Sequence, residues 1–361
     1  MIFLVVLFVD TQKTLRFLII FSSLKTELNM AIQRILQIIL FLIPTLTPPS
    51  LEGLFFSSNE EVSRVFYEPT YEVNVQRDVI YGYGLSHDSF NLENPMQIPL
   101  KLDIYTPKND FSNRPIVVLI HGGGFRGGSK EKPPFIEMSN FFAARGWVVF
   151  NINYRLLKDF GSVPEAWGAY VDKQTIPSKR TQNKAVYPAI RDAKAALRWV
   201  IANRTEYGIN TDYITVGGGS AGAFSAVAVG ITENDDYRDE LTVEQDPTLL
   251  STNLNELFEV KTILNFWGGN DCVDAINIFK NKQLYSKSNP SLFTAHGTND
   301  MIVSYEKAEA LKTIYETTGA AHVLYPLEGK GHGPWNYSEN GNSLGDLALK
   351  FIVTQQQLDV F

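Results

Sequence analysis

The chain has 361 residues, of which 44% are hydrophobic and 20% charged, a composition typical of a globular protein with one large α/β domain or two smaller ones. Its formal net charge of −7 and the absence of any lysine or arginine block exclude a nucleic-acid-binding protein, because phosphate recognition requires a basic face. Cys272 is the only cysteine, so an intrachain disulfide and a multi-cysteine metal site are also excluded.

Residues 1–60 form an apolar N-terminal segment. The runs "MIFLVVLFVD" and "LRFLIIF" are too short to span a bilayer, so no stable membrane span is predicted. After Met30, Arg34 precedes an apolar stretch from Ile35 to Ile43 and a group of prolines follows, which is the pattern of a signal peptide. We therefore expect a secreted or periplasmic protein whose export signal starts at Met30. The alternatives are an uncleaved anchor, and a mis-called upstream start with no export at all.

A regular pattern begins near residue 72. The segments "YEVNVQRDVIYGYG" and "MQIPLKLDIYTP" alternate in polarity, which predicts paired antiparallel strands at a sheet edge. The next runs, "PIVVLI" and "GWVVFNINY", are continuously apolar, as expected of strands buried on both faces. Between them, "PPFIEMSNFFAARG" has the spacing of a helix.

The alternation of strands and helices continues to the end of the chain. A long amphipathic helix, "AIRDAKAALRWVIANRTEYG", is followed by the strand "YITVGG" and the helix "AGAFSAVAVG". Three further strands, "VKTILNFWG", "SLFTAHG" and "AHVLYPL", precede a closing helix, "LGDLALKFIVTQQQ". This order predicts one α/β domain over residues 61–361, with a mostly parallel central sheet and helices on both faces. Residues 156–186 are predicted to form an irregular insert, because the segment is too long for an ordinary loop.

The stretch "DYITVGGGSAGAFSAVA" fits two incompatible motifs. Gly217, Gly219 and Gly222 match the dinucleotide-binding pattern G-x-G-x-x-G, whereas Gly218, Ser220 and Gly222 match G-x-S-x-G, the turn that carries a nucleophilic serine. A dinucleotide fingerprint belongs to the first strand and helix of its unit, with an acid at the end of the next strand. Here several strands precede the glycines, and the acids that follow lie in a polar run. The serine turn is therefore favoured, and no cofactor is predicted.

A nucleophilic serine requires a base, an acid that orients the base, and donors that stabilise an oxyanion. The "HGGGF" loop, His121–Phe125, can supply backbone N–H groups because glycines allow close approach; a simple tight turn is the alternative. Asp300, after the strand "SLFTAHG", is the candidate acid, and Asp271 is the alternative. His332 follows the last strand, where this chain order places the base.

The other four histidines fit the role of base less well. His87 and His121 precede the serine, while His296 and His322 lie within or beside strands, where a structural histidine is the better interpretation.

The motifs "HGGGF", "GGSAG", "HGTND" and "GHG", in this order and separation, resemble the esterase and lipase branch of the α/β-hydrolase superfamily, near its hormone-sensitive-lipase-like and small bacterial carboxylesterase groups. The resemblance covers roughly residues 72–357. It implies a catalytic triad of Ser220, Asp300 and His332. It also implies an oxyanion hole formed by the backbone amides of Gly123, Gly124 and Ala221. In two respects the chain departs from these groups. Gly219 stands where many members carry an acidic side chain, and no separate N-terminal helical cap is evident.

Five aromatic side chains are candidate substrate-binding residues: Phe125, Trp167, Tyr170, Trp267 and Trp335. Two of them belong to the 156–186 insert, which leaves the carboxyl end of a strand, where open α/β sheets bind ligands. The alternative is that this insert is a solvated surface loop without a role in binding. Trp267 and Trp335 adjoin strand ends and could equally be core residues. No spacing of ligands predicts a metal site.

The predicted function is hydrolysis of a small-molecule carboxylic ester through an acyl-enzyme. One alternative is a serine peptidase resembling prolyl oligopeptidases, although the residues before position 72 are too few to form the propeller of those proteins. The other is a non-catalytic binding protein of hydrolase fold, which the complete set of motifs disfavours. The natural ester and the oligomeric state are left open.

Overall fold

The computed structural model describes residues 64–90 and 92–361, together with the two-residue strands Phe8–Val9 and Leu15–Arg16, which pair antiparallel. The chain divides into two units, Met1–Ser58 and Asn59–Phe361. The expected signal peptide that starts at Met30 lies outside the described residues. No helix in the described part of the chain is both long enough and apolar enough to cross a membrane.

The second unit is built on an eight-stranded sheet. The strands are β1 Val73–Ser86, β2 Met96–Pro107, β3 Arg114–Ile120, β4 Val148–Ile152, β5 Ile209–Gly219, β6 Thr262–Phe266, β7 Ser291–Gly297 and β8 His322–Leu327. Their order across the sheet is β8-β7-β6-β5-β3-β4-β2-β1. Strands β3 to β8 run parallel, while β2 lies antiparallel to both β4 and β1. The predictions of a mostly parallel sheet and of an antiparallel pair at its edge are confirmed.

Helices cover both faces of the sheet. They are α1 Pro133–Ala143, α2 Glu165–Gln174, α3 Pro177–Lys184, α4 Val186–Ala202, α5 Ala221–Ile231, α6 Asp271–Lys280, α7 Glu306–Thr318 and α8 Leu344–Gln356. Helices α1 and α8 bury their apolar side chains in one core, and α4 to α7 bury theirs in the other. Strand β3 contributes to both, with Val117 and Val118 in different cores. This double burial explains its continuously apolar sequence, because neither face of the strand meets water.

The predicted irregular insert is largely helical, and that part of the prediction is wrong. It contains α2 and α3 after a short 3₁₀ turn at Leu157–Asp159. Helix α2 buries only Trp167 and Val171, one turn apart, and α3 buries none of its residues. Two helices with so few apolar positions have no detectable helical period, which explains why the pattern failed. Pro164 and Pro177, at the two helix starts, were the available signal.

Helix α4 is buried almost all round, although its sequence is amphipathic. Its charged side chains Arg191, Asp192, Lys194 and Arg198 are at most 3% exposed. Asp192 accepts hydrogen bonds from the guanidinium of Arg155, with Arg155 Nη2 2.6 Å from Asp192 Oδ1. The polar face of this helix therefore meets charged and polar partners within the protein instead of solvent.

Candidate active site

Ser220 stands in a sharp turn between β5 and α5. Its backbone has φ 55° and ψ −122°, a conformation that L-residues rarely adopt. A Cβ atom on Gly222 would lie 1.9 Å from the carbonyl oxygen of Ile120, and one on Gly218 would lie 2.6 Å from the same atom. The end of β3 thus passes so close to the turn that positions 218 and 222 both require glycine. The turn projects the serine side chain beyond the carboxyl edge of the sheet.

Three loops bring Ser220, His332 and Asp300 into one chain of hydrogen bonds. His332 Nε2 lies 2.9 Å from Ser220 Oγ, and His332 Nδ1 lies 2.7 Å from Asp300 Oδ2. The side chain of Asp300 is fully buried, whereas that of His332 is 23% exposed. With Nδ1 protonated and donating to the carboxylate, Nε2 is left to accept the serine proton. The arrangement can therefore remove a proton from Ser220.

Asp300 is held in its turn by the backbone. The N–H groups of Ile302 and Val303 donate to Asp300 Oδ1 over 2.9 and 3.0 Å. Burial by itself raises the pKa of this carboxyl, but the bonds from Val303, His332 and Ile302 outweigh it, and the pKa lies below its usual value. Asp271, the alternative acid, instead pairs with Lys307, with Asp271 Oδ1 2.6 Å from Lys307 Nζ. The structure therefore brings Asp300, and not Asp271, to the histidine.

A second histidine, His296, lies behind Asp300, and its place in the site was missed from the sequence. The ring is fully buried at the end of β7, and its Nε2 donates to the carbonyl oxygen of Val303 over 2.8 Å. The same nitrogen is 3.4 Å from Asp300 Oδ2. Burial lowers the pKa of His296, so the ring stays neutral and ties the strand end to the aspartate turn. Its position in the "HGTND" motif was the only available signal.

The glycine loop lies directly against the serine turn. Gly123 and Gly124 have φ values of 136° and 62°, and a Cβ atom on Gly123 would lie 1.9 Å from the carbonyl oxygen of Gly127. A Cβ atom on Gly122 would lie 3.2 Å from Ser220 Cβ. Within the described part of the chain, the N–H groups of Gly123 and Gly124 donate to no protein acceptor. They line the same cleft as Ser220 and are available to a ligand.

The third candidate amide, that of Ala221, begins helix α5. The first N–H groups of a helix have no partner within the helix and carry its positive partial charge. An anion beside Ser220 would therefore lie close to this helix end as well as to the glycine loop.

Two aromatic residues support the glycine loop from below. The ring of His121 stacks on Tyr154 with centroids 4.3 Å apart, and His121 Nδ1 lies 3.0 Å from the carbonyl oxygen of Gly122. Tyr154 donates its hydroxyl to the carbonyl oxygen of His121 over 2.8 Å. Burial lowers the pKa of His121 to about 4, so the ring is neutral at neutral pH. His121 thus fixes the loop conformation, and Tyr154 is a supporting residue for which the sequence offered no signal.

The five candidate substrate-binding aromatic residues divide between two clefts. The catalytic cleft, of about 360 Å³, is lined by Ser220, His332, Trp267, Trp335 and the glycine loop. The insert cleft, of about 400 Å³, is lined by Phe125, Trp167 and Tyr170, among others. Gln182, on α3 of the insert, donates to the carbonyl oxygen of Gly124 over 2.8 Å. The insert therefore contacts the glycine loop directly.

An acidic cluster elsewhere in the second unit is already paired with two lysines. The carboxylates of Glu233, Asp235 and Asp236 lie close enough together to share an ion. Lys280 and Lys282, however, each place their Nζ atom 2.8 Å from Asp236 Oδ1. The two ammonium groups thus supply the positive charge that a metal would bring.

The chain is similar in sequence to known esterases. The chain matches the family model BD-FAE over residues 102–166 and 175–286. It is 23% identical to esterase LipC of Mycobacterium tuberculosis over 72% of this chain and 59% of LipC. It is 26% identical to esterase LipQ of the same organism over 58% of this chain and 48% of LipQ. The chain thus spans about half of the length of these curated relatives.

Solved structures have the same fold. The apo form of Thermogutta terrifontis esterase 2 is 23% identical, with a TM-score of 0.54 over 81% of this chain and 97% of that chain. A truncated carbohydrate esterase from gut microbiota is 19% identical, with a TM-score of 0.52 over 81% of this chain and all of that chain. The fold is that of an α/β hydrolase. Within that superfamily, the chain is similar to the carboxylesterase and lipase branch.

Proposed function

We propose that the protein is a serine carboxylesterase that acts on small-molecule esters through an acyl-enzyme. The observation that carries this proposal is the hydrogen-bonded chain from Asp300 through His332 to Ser220, on a strained turn beside free backbone amides. The similarity to named esterases supports the same class of reaction.

In the first half-reaction, Ser220 Oγ attacks the ester carbonyl carbon while His332 Nε2 takes the serine proton. The carbonyl oxygen becomes an oxyanion. This oxyanion accepts hydrogen bonds from the backbone N–H groups of Gly123, Gly124 and Ala221. When the tetrahedral intermediate collapses, the bond to the alcohol oxygen breaks and His332 returns the proton to that oxygen. The product is an ester of Ser220 with the acyl group.

In the second half-reaction, His332 Nε2 takes a proton from water, and the resulting hydroxide attacks the acyl carbon. The bond to Ser220 Oγ then breaks, and the proton returns to Oγ. Asp300 holds the imidazole in one tautomer and stabilises its protonated form throughout. All proton transfers thus pass through one nitrogen atom.

The test is covalent labelling of the purified full chain with an organophosphate, followed by hydrolysis of p-nitrophenyl acetate. We expect one phosphorylated residue, Ser220, and a loss of roughly 10⁶-fold in kcat for Ser220→Ala. Ser225→Ala is the matched control, because Ser225 lies on the same helix and donates only to the carbonyl oxygen of Ala221. An unlabelled and inactive wild type would indicate a non-catalytic binding protein. Faster cleavage of a peptide p-nitroanilide than of the ester would indicate the peptidase.

We also propose that the protein is exported, on the strength of the arginine, apolar run and prolines that follow Met30. Expressed in a bacterium from Met30, it should accumulate outside the cytoplasm with a shortened N-terminus. N-terminal sequencing that finds Met30 or Ala31 on a cytoplasmic protein would refute export.

A further inference from the structure

We propose that Trp335 sets the size of the ester group accepted beside Ser220, by closing the catalytic cleft off from a second hollow behind it. The inference rests on the proposed esterase function. Trp335 and Pro134 line both the catalytic cleft and this outer hollow, which has a volume of about 170 Å³ and is also lined by Met138, Phe141 and Leu344. The indole is therefore a shared wall between two spaces.

The indole lies directly on the nucleophile turn. A Cβ atom on Gly219, the residue before Ser220, would lie only 2.6 Å from Trp335 Cζ2 and 3.4 Å from Trp267 Nε1. A contact of 2.6 Å is far inside the ordinary separation of two carbon atoms. Glycine at position 219 is thus the residue that lets the ring approach the site, and the wall stands one residue from the reacting oxygen.

Aromatic neighbours hold this wall in place. Trp335 meets Trp267 edge to face with ring centroids 4.6 Å apart, Phe266 at 5.1 Å and Phe135 at 5.3 Å. Trp267 itself has a φ of 47°, which is a strained conformation for a bulky residue. Aromatic pairs of this geometry prefer their observed orientation over other arrangements. A ring packed on three sides cannot swing aside at little free-energy cost, so the size limit is steric.

The volume of the hollow indicates how much longer a group could become. A cavity of about 150 Å³ accommodates one benzene molecule, so the outer hollow corresponds to about six carbon atoms. Removal of the indole would join the hollow to the catalytic cleft. The wild-type protein should accordingly prefer esters that carry a short group on this side of Ser220.

The experiment measures kcat/KM over two ester series. One series lengthens the acyl chain of p-nitrophenyl esters from acetate to decanoate, and the other lengthens the alkyl chain of acetate esters over the same range. In Trp335→Ala, we expect the preferred length in one series to increase by about six carbons, in line with the hollow's benzene-sized volume. The longest esters should gain roughly tenfold or more, while the other series is unchanged. Trp335→Phe should give an intermediate shift and guards against a misfolded alanine variant.

Phe141→Ala is the matched control, because Phe141 lines the outer hollow but not the catalytic cleft. It enlarges the hollow without opening it, so its chain-length preferences should equal those of the wild type. Unchanged preferences in both series for an active Trp335→Ala would overturn this inference alone. A wild type that hydrolyses no ester and takes up no organophosphate at Ser220 would overturn the proposed function, and this inference with it.

Discussion

The carboxyl edge of the sheet and helix α4 both contain features that polypeptides usually avoid, but of different kinds. At the edge, three non-glycine residues have a positive φ: Phe125, Ser220 and Trp267. In α4, charged side chains are buried on a helix with almost no access to water. Backbone strain at the edge surrounds an opening to solvent, whereas the charges of α4 face partners inside the protein.

The two regions control different quantities, which are activity at the sheet edge and stability around α4. Strained residues persist where the surrounding structure holds them in place, and they cluster at functional sites. Buried ion pairs contribute little net stability, but removal of one partner leaves an uncompensated charge and is strongly destabilising. Substitutions at the edge should therefore reduce activity with little change in stability, and substitutions around α4 should do the reverse.

After Ser220→Ala, the largest effect is expected for Asp300→Asn. An amide at this position favours the wrong tautomer of His332, so kcat should fall by about 10⁴-fold, while the melting temperature changes little. Steady-state kinetics and thermal unfolding of the same preparation measure both. Asp271→Asn is the control and should keep wild-type kinetics, because Asp271 pairs with Lys307. A larger loss in Asp271→Asn would assign the acid role to that residue instead.

Next comes the buried pair Arg155–Asp192. Asp192→Ala leaves the guanidinium buried without its carboxylate, so the free energy of unfolding should fall by about 3–5 kcal/mol. Urea denaturation measures the loss. The double variant Arg155→Met/Asp192→Leu removes both charges and should recover most of the stability. If the double variant were as unstable as the single one, unpaired charge would not be the cause.

Lys194 should make stability depend on pH. Burial lowers its pKa to about 7 from an ordinary value of 10.5. Between these values the unfolded chain binds one more proton than the folded chain, so stability rises with pH. From pH 7 to pH 9, the free energy of unfolding should increase by about 2 kcal/mol more in the wild type than in Lys194→Met. Equal slopes in the two proteins would show that Lys194 does not lose its proton in this range.

The smallest effect concerns the insert cleft. Tyr170 is half-buried and lines this cleft, so Tyr170→Ala should reduce kcat/KM for bulky esters by about 1–3 kcal/mol of transition-state binding and leave acetate esters nearly unchanged. Trp167→Ala should in addition lower the melting temperature, because Trp167 is only 1% exposed and packs against four other rings. Equal losses of kcat/KM on all esters in Tyr170→Ala would indicate that the insert is a solvated surface loop.

Much of the fold could be predicted from the sequence because its signals are local. Continuous apolar runs mark strands covered on both faces, and the alternating pair at residues 73–107 marks an edge with a solvated face. The candidate residues Ser220, Asp300 and His332 each follow a predicted strand within a short glycine-rich motif. Since parallel strands end at one edge, chain order alone predicted that these motifs would meet.

The features that depend on partners distant in sequence could be recognised only from the tertiary structure. The charges of α4 look like a solvated face until Arg155 is placed against Asp192, 37 residues away. Gln182 donates a hydrogen bond to the carbonyl oxygen of Gly124, 58 residues away, and no local sequence pattern predicts that contact. Trp335 becomes a wall only because β5 carries Gly219 beneath its ring. Local periodicity indicates which residues are buried. Which residues pack against one another depends on the tertiary fold of the whole chain.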